Sequence, residues 1–157
     1  EGMIMIHEND PNKVLYENDK DQSNERELAQ YVSKSWGVEI VKQKKNAQFD
    51  YILKKSNGSL AFAELRLRSC PMNKYPTVYM SLGKLIAGHN QTKITGIPSL
   101  FIVKWTDKVG CVDIDKCSKT FKLSEDWHEN RRGHHEREIV VELDIKDFKE
   151  IHEKENA

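Results

Sequence analysis

In "FDYILKKSNGSLAFAELRLR" (residues 49–68), Asp50 starts a short apolar run and Glu64 sits inside the next, followed by Arg66 and Arg68. Charges at positions that otherwise read as buried strand are costly unless they are paired or bound to a cation. Strand alternation puts Ala61, Ala63, Leu65 and Leu67 on one face, and Leu60, Phe62, Glu64, Arg66 and Arg68 on the other. In the preceding run Phe49, Tyr51 and Leu53 face one way and Asp50, Ile52 and Lys54 the other. If the apolar faces coincide, Asp50 and Glu64 share a side. Two carboxylates brought together repel, and one takes up a proton unless a cation lies between them. A hard divalent ion such as Mg2+ is the natural occupant, because it binds through one or two carboxylates and keeps several waters. Arg66 points to the same side and could steady a phosphate.

The register of this hairpin decides whether that chemistry can exist. A two-residue turn at Asn57-Gly58 would set Asp50 opposite Leu65 and split the carboxylates onto opposite faces, as any one-residue slip does. An odd-length loop or a bulge is therefore expected.

The elements that must hold these residues follow from periodicity. In "SNERELAQYVSKSWG" Leu28, Tyr31, Val32, Ser35 and Trp36 recur at helical spacing, Gly37 supplies a stop, and Asn24 with Glu27 reads as a capping box. Residues 38–43, 49–53 and 60–68 read as strands. "PTVYMSLGKLIAGHN" (76–90) reads as a helix capped by Thr77. The stretch 98–105 is apolar enough to be a strand covered on both faces, and 110–114 pairs with it. Residues 116–136 read as a polar loop, 137–145 as a late strand, and 146–157 as a frayed helical tail. The fold class is α/β: a mixed β-sheet with an α-β-β-β-α-β core flanked by helices.

The composition is that of an ordinary globular chain: 157 residues, 38% hydrophobic and 32% charged, with 25 basic and 25 acidic side chains. No run is long enough to span a membrane, and no signal peptide is visible. One domain is expected over 23–157, behind a polar arm at 1–22 that carries six acids and two lysines. Three cysteines without a CxxC pair argue against a disulfide framework and a zinc knuckle, and fit a reducing cytoplasm. Zero net charge gives nucleic acid no support, but Lys44, Lys45, Arg66 and Arg68 concentrate positive charge around the acids. Arg131 and Arg132 are further candidates for phosphate contact, and Tyr75 and Tyr79 for stacking on bases.

An acid, a hairpin, then acid-x-base, after a helix bearing a glutamate, resembles the PD-(D/E)XK nuclease superfamily over residues 23–115. The layout through "SLGKL" and "PSLFIVKWTD" looks like its small phage members. The resemblance implies a restriction-endonuclease-like fold and metal-dependent hydrolysis of phosphodiesters, with Mg2+ or Mn2+ as cofactor and DNA as the expected partner. It implies no membrane association, allows a homodimer, and for a phage protein places it in the host cytoplasm. Asp50 and Glu64 would hold the metal, with Glu25 completing the shell from the helix. Two positions depart from the pattern. Phe49 stands where proline is usual, and Arg66 stands where the water-orienting lysine is expected. Arginine stays protonated and cannot act as a base. Some superfamily members bring the lysine from the following helix, and Lys84 is placed for that. Its amine is expected on the side of Glu64.

Each residue has a plainer reading. Asp50 can begin a strand beside a loop, and Glu64 can pair with Arg66 or Lys54. Glu25 and Glu27 suit a first helical turn without any metal. Lys84 can be an exposed helix lysine. The alternatives to a nuclease are a lapsed nucleic-acid-binding module on the same fold, and an interaction protein of another α/β fold.

Overall fold

A computed structural model of the chain describes residues 19–124, 128–129 and 135–153. Helix α1 (Asp19–Trp36) is followed by strands β1 (Glu39–Lys42), β2 (Tyr51–Lys54) and β3 (Leu60–Leu67). A 3-10 turn at Met72–Lys74 leads to β4 (Thr77–Ser81), which runs directly into helix α2 (Leu82–Thr95). Then come β5 (Ser99–Lys104), β6 (Val109–Asp113), β7 (Lys119–Leu123), β8 (His128–Glu129) and β9 (His135–Glu136). Strands β10 (Ile139–Asp144) and β11 (Lys149–Glu150) complete the described part.

Six strands form one sheet in the order β1-β2-β3-β5-β6-β11. Its one parallel pair is β3 with β5; every other neighbour is antiparallel. A parallel pair needs a crossover, and α2 supplies it. The mixed sheet and the α-β-β-β-α-β order are as expected, with β4 inserted before α2.

Alternation along the central strands sends side chains into two cores. On one side Leu28, Ala29 and Val32 of α1 pack on Tyr51, Leu53, Ala63, Leu65 and Ile102. On the other, Phe49, Phe101, Val103 and Val112 meet Leu85 of α2 together with Val78, Met80, Val141 and Leu143. The last four belong to a second sheet, β4-β10-β7, which covers this face beside α2.

Several elements differ from their sequence reading. α1 begins at Asp19, so Asn24 lies inside the helix, and residues 19–22 of the expected arm are helical. No glycine or proline stands between Asp19 and Ser23 to stop it. Residues 77–81 are strand, and the helix cap is Ser81, whose side chain accepts from the Lys84 N–H. Thr77-Val-Tyr-Met-Ser carries both periods. Its buried Val78 and Met80 find partners on β10, more than sixty residues downstream, which no local pattern discloses. Residues 119–123 within the expected polar loop are a strand, for the same reason. The tail from Lys146 is a 3-10 turn followed by β11, not a helix; Phe148 and Ile151 are buried in the two cores, and Ile151 N–H bonds to the Val109 carbonyl. Phe49 joins the α2-side core, not the Tyr51 face, because residues 48–50 bend before β2 begins.

Gly88 marks the tightest approach of α2 to the sheet. A Cβ there would come within 2.4 Å of Ile114 Cδ1 and 2.8 Å of Phe49 Cζ. Gly88→Ala should therefore cost about 1–3 kcal/mol as overpacking. Gly83→Ala, in the same helix with nothing within 4 Å, should be neutral or stabilising by roughly 0.5–1 kcal/mol. Chemical denaturation of the two variants checks this; equal stabilities would contradict the packing.

Candidate active site

The β2–β3 loop is Lys55–Ser59, five residues, with Lys54 paired to Leu60 and Tyr51 to Ala63. Lys55 N–H bonds to the Ser59 carbonyl, and Gly58 takes φ 91° at the tip. One step beyond Tyr51, this register brings Asp50 to Glu64: the Asp50 N–H donates to Glu64 Oε1 at 3.3 Å. The odd-length loop expected from the sequence is present, and the two acids adjoin.

Lys84 reaches the same place from α2. Ser81 fixes the first turn of the helix, and the Lys84 side chain runs back over the Phe49 ring, its amine 5.9 Å from the ring centre. The Lys84 amine donates to the Gln48 carbonyl at 2.6 Å and to Glu64 Oε1 at 3.2 Å. Its side chain is one-third exposed and that of Glu64 only 16%. The amine thus lies on the Glu64 side, as expected, and touches the carboxylate directly.

Burial pushes the Glu64 carboxyl above the ordinary carboxylate range, and the neighbouring Asp50 charge pushes it the same way. Lys84 opposes both without cancelling them. Among the described residues none donates a hydrogen bond to the Asp50 carboxylate. Arg66 also interacts with the Glu64 charge, so the two carboxylates share the site with two cations. Glu64, Arg66, Met80, Ser81, Lys84 and Phe101 line a pocket of about 240 Å3 there.

The other expected site residues lie apart from this pair or beside it. Glu25 accepts from the Tyr51 hydroxyl and from the Lys42 amine at 3.1 Å, on the α1 side of the sheet. Among the described residues no group of three or more acids, histidines or cysteines gathers as metal ligands. The three-carboxylate shell expected with Glu25 is therefore not formed; the buried Tyr51 hydroxyl and Lys42 occupy that carboxylate instead. Arg66 lines the pocket, but one arm of its guanidinium donates to the Tyr79 carbonyl on the free edge of β4. Arg68 lies just beyond the end of β3, 3.9 Å from Cys70 Sγ. Lys44 and Lys45 are exposed in the loop between β1 and β2. Arg131 and Arg132 lie outside the described residues.

Three contributors escaped the sequence reading: the Gln48 carbonyl, the Phe49 ring and the Ser81 cap. Only Ser81 left a signal, a hydroxyl three residues before Lys84 with a helical run behind it. Cys111 is no candidate nucleophile, since burial pushes its thiol up to about 12.

The donor set suits a hard divalent cation. Two carboxylates adjoin, oxygen donors of the kind Mg2+ or Mn2+ takes when waters and a substrate phosphate fill its other positions.

Residues 12–151 match the model of a family described as "Phage putative PDDEXK endonuclease". No curated protein matches the chain in sequence. Among solved structures it is similar to Archaeoglobus fulgidus Hjc, described as a Holliday junction resolvase from an archaeal hyperthermophile. The TM-score is 0.59 and the identity 13%, covering 85% of this chain and 93% of that one. The shared property is the restriction-endonuclease-like fold.

The electrostatics can be checked by titration. Because the folded Glu64 value lies above the unfolded one, the native state holds this proton more tightly. Its contribution to stability therefore falls as pH rises from the ordinary carboxylate value through the raised one. Asp50→Asn removes one cause of the shift, so NMR titration should show the Glu64 carboxyl moving down. An unchanged or higher value would mean that the two carboxylates do not interact.

Proposed function

The chain belongs to the phage PDDEXK endonuclease family and is a nuclease of PD-(D/E)XK type, and we propose that it hydrolyses DNA phosphodiesters with a divalent metal held by Asp50 and Glu64. The observation that carries this reading is the Lys84 amine on Glu64, beside Asp50, at the wall of an open pocket. When bound, Mg2+ or Mn2+ would polarise a phosphoryl oxygen and acidify water. Of the three amine protons on Lys84, two are committed to Gln48 and Glu64. The third is left to orient the attacking water. That water's oxygen bonds to phosphorus and sheds a proton to solvent as the bond to the leaving strand breaks, and the leaving oxygen takes up a proton from solvent. Arg66, anchored by one arm, keeps donors that can meet the negative charge spread over the phosphate.

Lys84 thus takes the part usually played by a lysine two residues after the glutamate, and Arg66 at that position is no obstacle. Residues 23–157 are taken as one nuclease-like domain acting in the cytoplasm of a phage host, with a homodimer allowed. Lys44, Lys45 and Arg68 are assigned to contacts with the DNA backbone, as are Arg131 and Arg132.

Plasmid cleavage tests the reading. Wild type should cut with Mg2+ or Mn2+ and stop with EDTA. Asp50→Ala and Lys84→Met should each lose on the order of 10²–10⁴-fold in rate, the usual contribution of a positioned catalytic group. Mg2+ should raise the melting temperature of wild type and not of Asp50→Ala. Full cleavage by Lys84→Met would reject its role. DNA binding by wild type without any cleavage would identify a lapsed binding module.

A further inference from the structure

Beside the catalytic pocket lies a second concavity of about 320 Å3, lined by Arg68, Tyr75, Pro76, Thr77, Tyr79 and Glu142. Its volume is at the lower end of the ~300–1,000 Å3 range of ligand clefts. Two aromatic rings dominate it, and both are open: Tyr75 is 49% and Tyr79 41% exposed. Rings this exposed contribute little to the core, whose members on β4 are Val78 and Met80.

The rings are also set among cations. Lys74 lies 5.6 Å from the Tyr75 ring centre, and Lys122 lies 5.5 Å from that of Tyr79. The one acid in the lining, Glu142, is matched by Lys122 at 3.1 Å and also accepts from Thr120. Arg66 and Arg68 border the same strand, and the Arg66 bond to the Tyr79 carbonyl joins this surface to the catalytic pocket. Along β4, Tyr79 is two residues from Ser81 of that pocket, about 7 Å at the usual strand rise. Exposed aromatic rings beside Lys74 and Arg68, neither of which pairs with a carboxylate among the described residues, match the chemistry of single-stranded nucleic acid: the bases stack and the phosphates pair with the cations. A base inside a duplex has both faces covered by its neighbours, so only one that has left the stack can lie on such a ring.

The geometry points to a base-stacking shelf on Tyr75 and Tyr79, with Arg68 on the adjoining phosphate, which takes an unpaired nucleobase within one or two nucleotides of the scissile phosphate. The inference rests on the nuclease reading above and narrows its substrate class. The preferred substrate carries a single-stranded segment at the cut, such as an overhang, a flap or a gap, and is not an uninterrupted duplex.

Binding without cleavage tests this separately from the chemistry. Oligonucleotides carrying 2-aminopurine are offered in EDTA as a single strand, a duplex with an overhang and a blunt duplex. Wild type should bind the first two more tightly and quench their 2-aminopurine. Tyr79→Ala and Tyr75→Ala should each weaken single-strand binding on the order of tenfold, and leave blunt-duplex affinity within about twofold. Tyr79→Trp should restore the quenching, and melting curves should show that all three variants are folded. Wild type that quenches in EDTA yet never cleaves with Mg2+ or Mn2+ would count against the nuclease chemistry alone. Equal affinity for all three substrates, tyrosine variants indistinguishable from wild type, or no binding to any of them would overturn the shelf.

Discussion

The arrangement of the site depends on the register of a single hairpin. A five-residue loop between β2 and β3 sets Asp50 against Glu64, whereas a two-residue turn at Asn57-Gly58 would have placed them on opposite faces. Once they adjoin, mutual repulsion and the burial of Glu64 create a demand for positive charge. Lys84 meets part of that demand from α2, and its position is fixed in turn by the Ser81 cap, the Phe49 ring beneath it and the Gln48 carbonyl. Lys84 does not cancel the upward push on the Glu64 carboxyl, which a bound cation would also oppose. The core is subject to the same constraint, because the register that unites the acids also puts Tyr51, Leu53, Ala63 and Leu65 together under α1.

The insertion of β4 before α2 gives this chain its individual character. The strand belongs to a different sheet from β3, yet its free edge receives Arg66 through the Tyr79 carbonyl. The arginine in the position usual for the catalytic lysine thus holds the second sheet against the first. Its rigid planar fork can hold a carbonyl and still present donors to a phosphate, which a single ammonium on a flexible stem does less well. With Lys84 on α2 and Arg66 on β3, the contact to Glu64 and the joining of the layers fall to different residues.

Much of this was legible in the sequence where the period was clean. The α1 stripe, the three-strand meander and the β5–β6 pair follow from local alternation and turn length, whereas Lys84 is placed by the resemblance to members that bring the lysine from the following helix. What could not be read depends on distant partners. Residues 77–81 and 119–123 become strands because both pair with β10, which the local pattern of neither discloses. Phe49 changes sides because a bend, not a strand, precedes Tyr51. Glu25 is expected in the metal shell as the helix glutamate, but its place on the helix does not reveal that Tyr51 and Lys42 hold its carboxylate.

The separations along the chain also order the construction of the site. Asp50 and Glu64 are joined by a short hairpin, whereas β3 reaches β5 only after the chain has passed through β4 and α2. Closing a longer loop costs more entropy, so the local contact is the easier one to make first. The hairpin therefore gathers two like charges before the helix that carries Lys84 can dock. This is a local conflict of the kind that roughens a folding landscape. The residues that equip the chain for chemistry thus oppose its first folding step, and the burial of Phe49 and Leu85 beneath α2 must overcome that opposition.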